Sequence, residues 1–438
     1  MAVAAVPRYV KQELFAEAPP GHRFGLYFQL WNPTDWLREA DNKGDKDKGK
    51  QGAIRRIIPF GNDAGRMARS LLDRQKALAD VLGDSVWRLP AQSTAPFMTG
   101  LGNEHPLENG FSFLNPYGLP YLPGSGVKGV LRRAAEELAL GFYGDTSGWD
   151  IVSLWWLFGF EPNSVYLIGP SDRMPPAQLE EAQRWQDAYR NPETRDAVPR
   201  DRLEALIKAT LNREQQRYQE QPFKLLDDLG TDPKLRDAVR NRGALMFWDV
   251  IPEPAGGKLA VDIMTPHYGN YYYQDQGNTT PHDSGQPNPI LFLTVPPGSS
   301  FEFFVQCDFA ALPESLRNSW QTLLEAAFQH AFDWLGFGAK TAVGYGQMKK
   351  SKQVQQLQLN KQERWHHEIS EWTDKQLAER LSKNWNKNKK EYGDDFASFL
   401  VLVREMRGDT LSKWETSTKD NEKKAFKNIS SFLEGTEG

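Results

Sequence analysis

Two glycine-punctuated segments, residues 118–133 and 336–346, carry the residue types that can hold an anion. In the first, Pro123-Gly124-Ser125-Gly126 supplies turn chemistry, and Val127, Val130, Leu131, Ala134 and Leu138 then recur at helical spacing. Ser125 reads as the N-cap of that helix. Lys128 and Arg132 fall one turn apart, with Arg133 beside them, in the half of the helix where the backbone already presents positive charge. An anion on that face relieves the repulsion. In the second segment, Gly336-Phe337-Gly338 and Gly344-Tyr345-Gly346 bracket five residues that include Lys340 and Thr341, after an apolar-periodic stretch from about Leu312 to Leu335. The order reads helix, glycine loop, strand. Bare backbone beside cations is how proteins cradle phosphates, so the two segments read as two walls of one phosphate-holding surface. The competing reading is ordinary turns flanked by solvated cations.

Several other chemistries fail on spacing. A nucleotide-binding Walker loop needs glycine directly before its lysine, and Ala339 precedes Lys340. A dinucleotide fingerprint follows a strand and opens a helix, the reverse of the order here. The strongest rival is an acid–base or metal site built from Asp262, His267, His282 and Asp283, which would make the chain an endoribonuclease acting through His267 or His282. The interval between those histidines matches no short zinc motif, and the aromatic run Tyr268 to Tyr273 suits base stacking instead. His267, Tyr268 and Tyr271 are therefore candidate nucleotide contacts, with hydrogen-bonded loop residues as the alternative. His105 has no partner evident in sequence and reads as structural, and neither a nucleophile triad nor a catalytic carboxylate pair is legible. We expect no catalytic residue, no cofactor and no metal. Arg55 and Arg56, ahead of a helix spanning about 63–82 with Arg66, Arg69, Arg74 and Lys76, form a second-rank basic run whose alternative is a solvated helix face.

Composition narrows the possibilities. The chain has 438 residues and a formal net charge of -4, so nucleic-acid contact must come from local patches rather than from a polycation. Cys307 is the only cysteine, which excludes an internal disulfide and a cysteine-cluster zinc site and fits a reducing cytosol. The apolar run Ala2 to Val6 is too short for a signal peptide, and no stretch reaches membrane-spanning length. A soluble, cytoplasmic protein is expected.

The elements that must position these residues follow from periodicity. Phe24 to Trp31 alternates like a strand, and the charged tract Asp41 to Lys50 reads as a mobile surface loop. Residues 161–241 are dense in Glu, Gln, Arg and Asp and read as a helical insertion between Leu157-Phe158-Gly159 and the strand-like Gly243 to Val250. Pro289 to Phe309 reads as a hairpin turning at Pro296-Pro297-Gly298-Ser299. Beyond about Lys352 the chain becomes polar and helical, and from about Thr416 it reads as a fraying tail.

The spacing Gly-hydrophobic-Gly, five residues, Gly-hydrophobic-Gly after a helix resembles the glycine-rich loop of the RAMP superfamily of CRISPR-associated proteins. Other blocks are similar to that superfamily, and more narrowly to the sixth RAMP subunit of the Cmr, or type III-B, effector complex. They are Thr99-Gly100-Leu101-Gly102-Asn103-Glu104-His105-Pro106, Tyr117 to Arg133, Leu157-Phe158-Gly159, Val261 to Tyr268 and Pro287 to Val295. The resemblance runs from about residue 20 to 350. It implies an α+β fold: a ferredoxin-like (RRM-like) RAMP core over 20–160 and 242–351, interrupted by the 161–241 insertion and followed by an accessory helical extension over 352–438. It also implies a non-catalytic subunit of a hetero-oligomer that holds CRISPR guide RNA and complementary target RNA near the 3′ end of the guide, beside other RAMP subunits of the Cmr complex. Under that reading Gly124, Ser125, Gly126, Lys128, Arg132, Arg133, Gly336, Gly338, Lys340, Thr341, Gly344 and Tyr345 contact RNA. Its alternatives are the endoribonuclease above and a purely architectural cap.

Overall fold

Alternating apolar residues build the central sheet. The computed structural model describes residues 2–7, 9–41, 44–212, 215–265, 289–351, 361–392 and 396–434. Its main sheet has four antiparallel strands: β1 (Val86–Ser93), β2 (Leu245–Phe247), β3 (Ser300–Cys307) and β4 (Met348–Lys350). They lie side by side in the order β4-β1-β3-β2. Register puts Trp87 opposite Val305, Leu89 opposite Phe303 and Ala91 opposite Phe301, so all six side chains share one face. Two helices cover that face, α2 (Gly124–Ala139) between β1 and β2 and α3 (Trp320–His330) between β3 and β4. Phe328 of α3 packs at 5.1 Å from Trp87 and 5.0 Å from Phe303, while Val127, Leu131 and Ala134 bury the apolar stripe of α2.

The opposite face carries Val86, Arg88, Glu302 and Phe304, and a 21-residue helix, α1 (Asn62–Leu82), lies over it. Ala79, Leu72 and Leu82 pack near Phe304, which stacks on Trp248 at 5.4 Å. Lys76 pairs with Glu302 at 3.0 Å, and Arg88 pairs with Asp80. The centre of this face is therefore covered by protein.

The expected strand at Phe24 to Trp31 is only partly present. Residues Pro20–Gly25 form a helix that buries Phe24, and the strand is limited to Gln29–Trp31. The tract 41–50 is not a loop throughout, since Gly49 begins a helix over Gly49–Arg55 and Lys50 is paired with Glu108. The expected hairpin at 289–309 is also corrected. Ile290–Thr294 pairs with Ala260–Met264 in a separate two-stranded sheet, whereas β3 pairs with β1 and β2. The turn is present, but it carries the chain from one sheet to another. The long segment between Phe160 and Asn241 is helical, with Pro176–Arg190, Arg200–Thr210 and Pro222–Leu229 among its helices. Despite its charged composition it feeds the main core through Trp185, Leu206, Leu225 and Leu229. Arg202 reaches back to Asp150 at 2.8 Å, and Asp150 caps the helix Ile151–Phe158 through the Val152 and Ser153 amides.

The chain divides into two compact units, 1–350 and 351–438. The second has its own helical core, containing Trp365, Leu377, Phe399, Val403 and Ile429. The expected fraying tail is a helix, Asp420–Glu434, whose Ala425 and Ile429 are buried. Its apolar residues recur at helical spacing inside a polar composition. No helix among the described residues is long and apolar enough to cross a membrane.

Because the 161–241 segment shares the core of the first unit, Leu225→Ala should destabilise that whole unit by about 2–5 kcal/mol without splitting its unfolding transition. Denaturant unfolding followed by near-UV circular dichroism tests this. A separate low-stability phase confined to the segment would show that it folds on its own.

Candidate nucleic-acid interface

The second glycine segment is shaped by the backbone it must touch. Gly338 has φ +93° and Gly346 φ +71°, both in the left-handed region, and a β-carbon would strike Met98 O at the first and Phe337 O at the second. Close approach lets Ala339 N donate to Met98 O at 2.9 Å, Gly346 N to Pro96 O at 2.8 Å and Phe337 N to Gly346 O at 2.9 Å. The base of the loop is thus fixed to the strip Pro96 to Thr99. Its tip, Thr341–Val343, is one 3-10 turn entered through Lys340 at φ 59°. The amides of Gly338, Lys340, Thr341 and Ala342 have no acceptor among the described residues. Lys340 has no carboxylate partner there either, its Nζ reaching only the Met264 thioether at 2.9 Å. Tyr345 turns inward and donates to Asp262 Oδ2 at 2.7 Å; burial and that carboxylate push its phenol up to about 12.

The first segment meets the same strip from another side, because Thr99 Oγ1 donates to Tyr121 O at 3.2 Å. The N-cap of α2 is Pro123, with no side-chain cap, so the assignment of Ser125 as N-cap is wrong. Proline fixes the entry angle, and the Asp249 carboxylate, projecting after β2, accepts the Gly124 amide at 2.7 Å. Gly124 itself is buried, and a β-carbon there would meet Phe247 O. Gly126 and Gly129 differ from it. Both are exposed, and nothing lies within 4 Å of a β-carbon placed on Gly129. Packing therefore gives no reason for glycine at Gly129, in the middle of a helix.

The cations of α2 separate into two groups. Arg132 Nε donates to Glu136 at 3.0 Å and its Nη1 to Gly159 O at 3.0 Å. Arg133 binds Glu137 at 2.8 Å and Glu181 at 3.2 Å and lies over the Trp185 ring at 3.9 Å. Both arginines are held by the protein itself. Lys128 has no such partner among the described residues. Burial and the neighbouring charges of Arg132 and Arg242 lower its pKa, with Glu161 opposing. Arg242 is exposed and enters no ion pair among the described residues. Its place beside Lys128 follows from the bridge between Gly159 and Arg242 that closes the 161–241 segment, and no local motif in the sequence marks it.

Sequence reasoning also passed over Trp334, which is 61% exposed and 5.0 Å from Tyr143, in the π-helical turn that ends at Gly336. A tryptophan two residues before the first glycine of the loop was the available signal. His105 is structural: it stacks on Phe24 at 3.7 Å and bonds Phe24 O at 2.9 Å, and burial lowers its pKa. Arg56 is half-buried and Arg55 exposed, neither near the glycine segments by any contact described. His267, Tyr268, Tyr271, His282 and Asp283 lie outside the described residues. Among the described residues no group of three or more His, Cys, Asp or Glu is placed to hold a metal ion.

A sequence model described as the RAMP superfamily matches residues 91–349, more than half of the chain and the span that contains both glycine segments. The chain is 29% identical over 261 residues to the CRISPR system Cmr subunit Cmr6 of Pyrococcus furiosus, an alignment covering 57% of this chain and 64% of that relative. It thus spans less than two thirds of the relative's length. Similar solved structures include a crystal structure of Cmr6 from Pyrococcus furiosus, at 26% identity and TM-score 0.27 over 61% of this chain and 99% of the other. A chain in a cryo-EM structure of the type III-B Cmr-beta bound to cognate target RNA matches at 16% identity and TM-score 0.37, covering 72% and 77%. From the family match over 91–349, the chain belongs to the RAMP superfamily.

Proposed function

We propose that this chain is a non-catalytic RNA-binding subunit of a type III-B CRISPR ribonucleoprotein, holding guide RNA and the guide–target duplex near the 3′ end of the guide. It would act in the cytoplasm beside other RAMP subunits. The similarity to Cmr6 supports the assembly. The observation that carries the RNA role is the bare helix surface at Gly129 next to Lys128 and Arg242, two cations with no ion-pair partner among the described residues. Glycine inside a helix costs roughly 0.5–1 kcal/mol relative to alanine. With no intramolecular contact to explain it, the cost is accounted for by a ligand that approaches the helix backbone. A sugar–phosphate chain has the matching charge, and such contacts position a strand without reading its sequence.

The core is read as ferredoxin-like. The order β1, α2, β2, β3, α3, β4 with strand neighbours β4-β1-β3-β2 is that of a split βαβ repeat, which supports the reading. In an RRM the open sheet face stacks bases. Here α1 occupies that face, so the RNA path is assigned to the α2 and glycine-loop side, with Lys340 and the free amides of Gly338, Thr341 and Ala342 as the second wall. Arg132 and Arg133 then act indirectly, by fixing the helix that carries Lys128.

Lys128→Ala with Arg242→Ala should weaken binding of unrelated single-stranded RNAs alike and flatten the log–log salt dependence by about 1.4, two contacts at about 0.7 each. Filter binding across a salt series measures it; loss confined to one RNA sequence would refute the reading. Gly129 gives an independent test. Gly129→Ala should stabilise the fold by roughly 0.5–1 kcal/mol, whereas Gly129→Phe should leave the fold intact and weaken RNA binding. Equal RNA affinity for Gly129→Phe and the parent would remove the helix surface from the interface. Since the Lys128 pKa is lowered, its ammonium deprotonates earlier than an ordinary lysine as pH rises. RNA affinity should therefore decline on the alkaline side sooner in the parent than in Lys128→Ala. Multiple-turnover RNA cleavage lost on His267→Ala or His282→Ala would instead establish the endoribonuclease.

A further inference from the structure

A cavity of about 520 Å³ opens near the N-terminal end of the first unit, lined by no residue of either glycine segment. Phe15, Arg23, Tyr27, Ala53, Arg56 and Ile57 line it. Arg23 is only 5% exposed. Its Nη1 donates to Arg56 O at 2.6 Å and its Nη2 to Pro59 O, yet its Nε has no hydrogen-bond partner and no carboxylate pairs with it among the described residues. Arg56 repeats the arrangement: Nη1 donates to Asp47 O at 3.2 Å, Nη2 to Gln29 O at 3.0 Å, and Nε is buried and unpartnered. Burial lowers the pKa of both guanidinium groups. The charges of Glu39 and Asp47 offset this at Arg56, and no acidic neighbour does so at Arg23.

Carbonyl oxygens satisfy N–H groups but do not neutralise charge, and a buried cation without a counter-ion is costly. Arg23 therefore has no counter-charge among the described residues, and an anion in the cavity would supply one. The cavity's size exceeds what one phosphate or one carboxylate fills, and lies in the range of small-molecule sites. Apart from Gln29, the remaining wall is apolar and aromatic: Phe15 and Tyr27 stack at 4.3 Å with a 16° interplanar angle, and Ala53 and Ile57 continue the surface. Two guanidinium groups and an aromatic pair lining one cavity match a phosphate attached to a planar base.

We infer that this cavity binds one nucleoside monophosphate unit, its phosphate at Arg23 and Arg56 and its base against the Phe15–Tyr27 wall. The unit is either a free nucleotide or a nucleotide of an RNA strand. The inference rests on the proposed RNA role only for the second source.

The full-length protein is titrated by calorimetry with AMP, CMP, GMP and UMP, the matching nucleosides, inorganic phosphate, and a short RNA. Monophosphates should bind at least ten-fold more tightly than nucleosides or phosphate alone, and Arg23→Lys should lose that binding. Because Arg23 also holds the backbone at residues 56–59, Phe15→Leu and Tyr27→Leu supply a test that leaves both arginines in place; each should reduce monophosphate affinity several-fold while inorganic phosphate binds as before. RNA bound more tightly than any monophosphate, with a part of that affinity lost in Phe15→Leu, assigns the unit to a strand; RNA unaffected by Phe15→Leu assigns it to a free nucleotide. No monophosphate or RNA binding that responds to Phe15→Leu, Tyr27→Leu or Arg23→Lys overturns the inference, as does an acidic peptide occupying the site in place of nucleotides. The variant Lys128→Ala with Arg242→Ala separates this result from the proposed function. It should lose RNA binding at the helix surface and retain monophosphate binding at the cavity.

Discussion

The backbone strip Pro96 to Thr99 is the constraint on which the candidate interface depends. Its carbonyls at Pro96 and Met98 accept amides from the glycine loop, Phe97 exchanges both backbone hydrogen bonds with Val295, and Thr99 reaches Tyr121 at the start of the α2 segment. Phe97 and Met98 are completely buried, so the strip cannot slide without disrupting the core. Three elements distant in sequence thereby share one backbone. Gly338 is glycine because a side chain there would push the loop off that strip, and Gly346 because one there would strike Phe337 O across the base of the loop itself. The loop glycines are thus first a packing requirement, and any phosphate contact is made by the tip that the packing leaves free.

Internal pairing decides which cations are available to a ligand. Lys128 and Arg132, with Arg133 beside them, read in sequence as one group of phosphate contacts on a helix that begins at a glycine turn. In the structure the charges of the two arginines are used to hold Glu136, Glu137, Glu181 and the Gly159 carbonyl, joining α2 to the 161–241 segment. Glu137 also bonds His330 of α3 at 2.7 Å, so the same ion network ties both helices of the core together. Buried pairs of this kind are poor stabilisers relative to apolar packing but penalise any arrangement that separates them. Lys128 is left in the field of Arg132 and Arg242 with no ion-pair partner among the described residues, which is why it, rather than either arginine of α2, is the proposed contact for an external anion.

What was legible in the sequence had a physical period long enough to be unambiguous. The 21-residue helix α1, the apolar stripe of α2 and the helix-loop-strand order around Gly336 each show one. The spans that misled were those where a local signal fits two tertiary outcomes. A Pro-Pro-Gly-Ser turn between alternating strands looks the same whether the strands pair with each other or part into two sheets, and here Val295 leaves to bridge Phe97. Ser125 has the chemistry of a cap, but Pro123 sets the helix start two residues earlier and Asp249, remote in sequence, supplies the carboxylate. The charged composition of 161–241 and of 416–434 concealed apolar stripes whose spacing alone reveals that they pack. Arg242 and the Arg23–Arg56 cavity depend on non-local contacts and have no sequence signal.

Helix α1 also changes how a four-stranded antiparallel sheet can be used. An uncovered sheet face offers aromatic side chains in a plane, suited to stacking bases, but on this sheet Phe304 is buried against Trp248 and α1. A strand held here cannot lie across the sheet without displacing a helix fixed by the Lys76–Glu302 and Arg88–Asp80 pairs as well as by Ala79 and Leu72. In the proposed role, backbone-directed contact remains, through the bare helix surface at Gly129 on one element and through the amides at the tip of 338–344 on the other. Contacts of that kind would hold the sugar–phosphate path and leave base edges unread. A subunit built this way accepts any guide sequence, and in the proposed assembly specificity then resides in base pairing between the two RNAs.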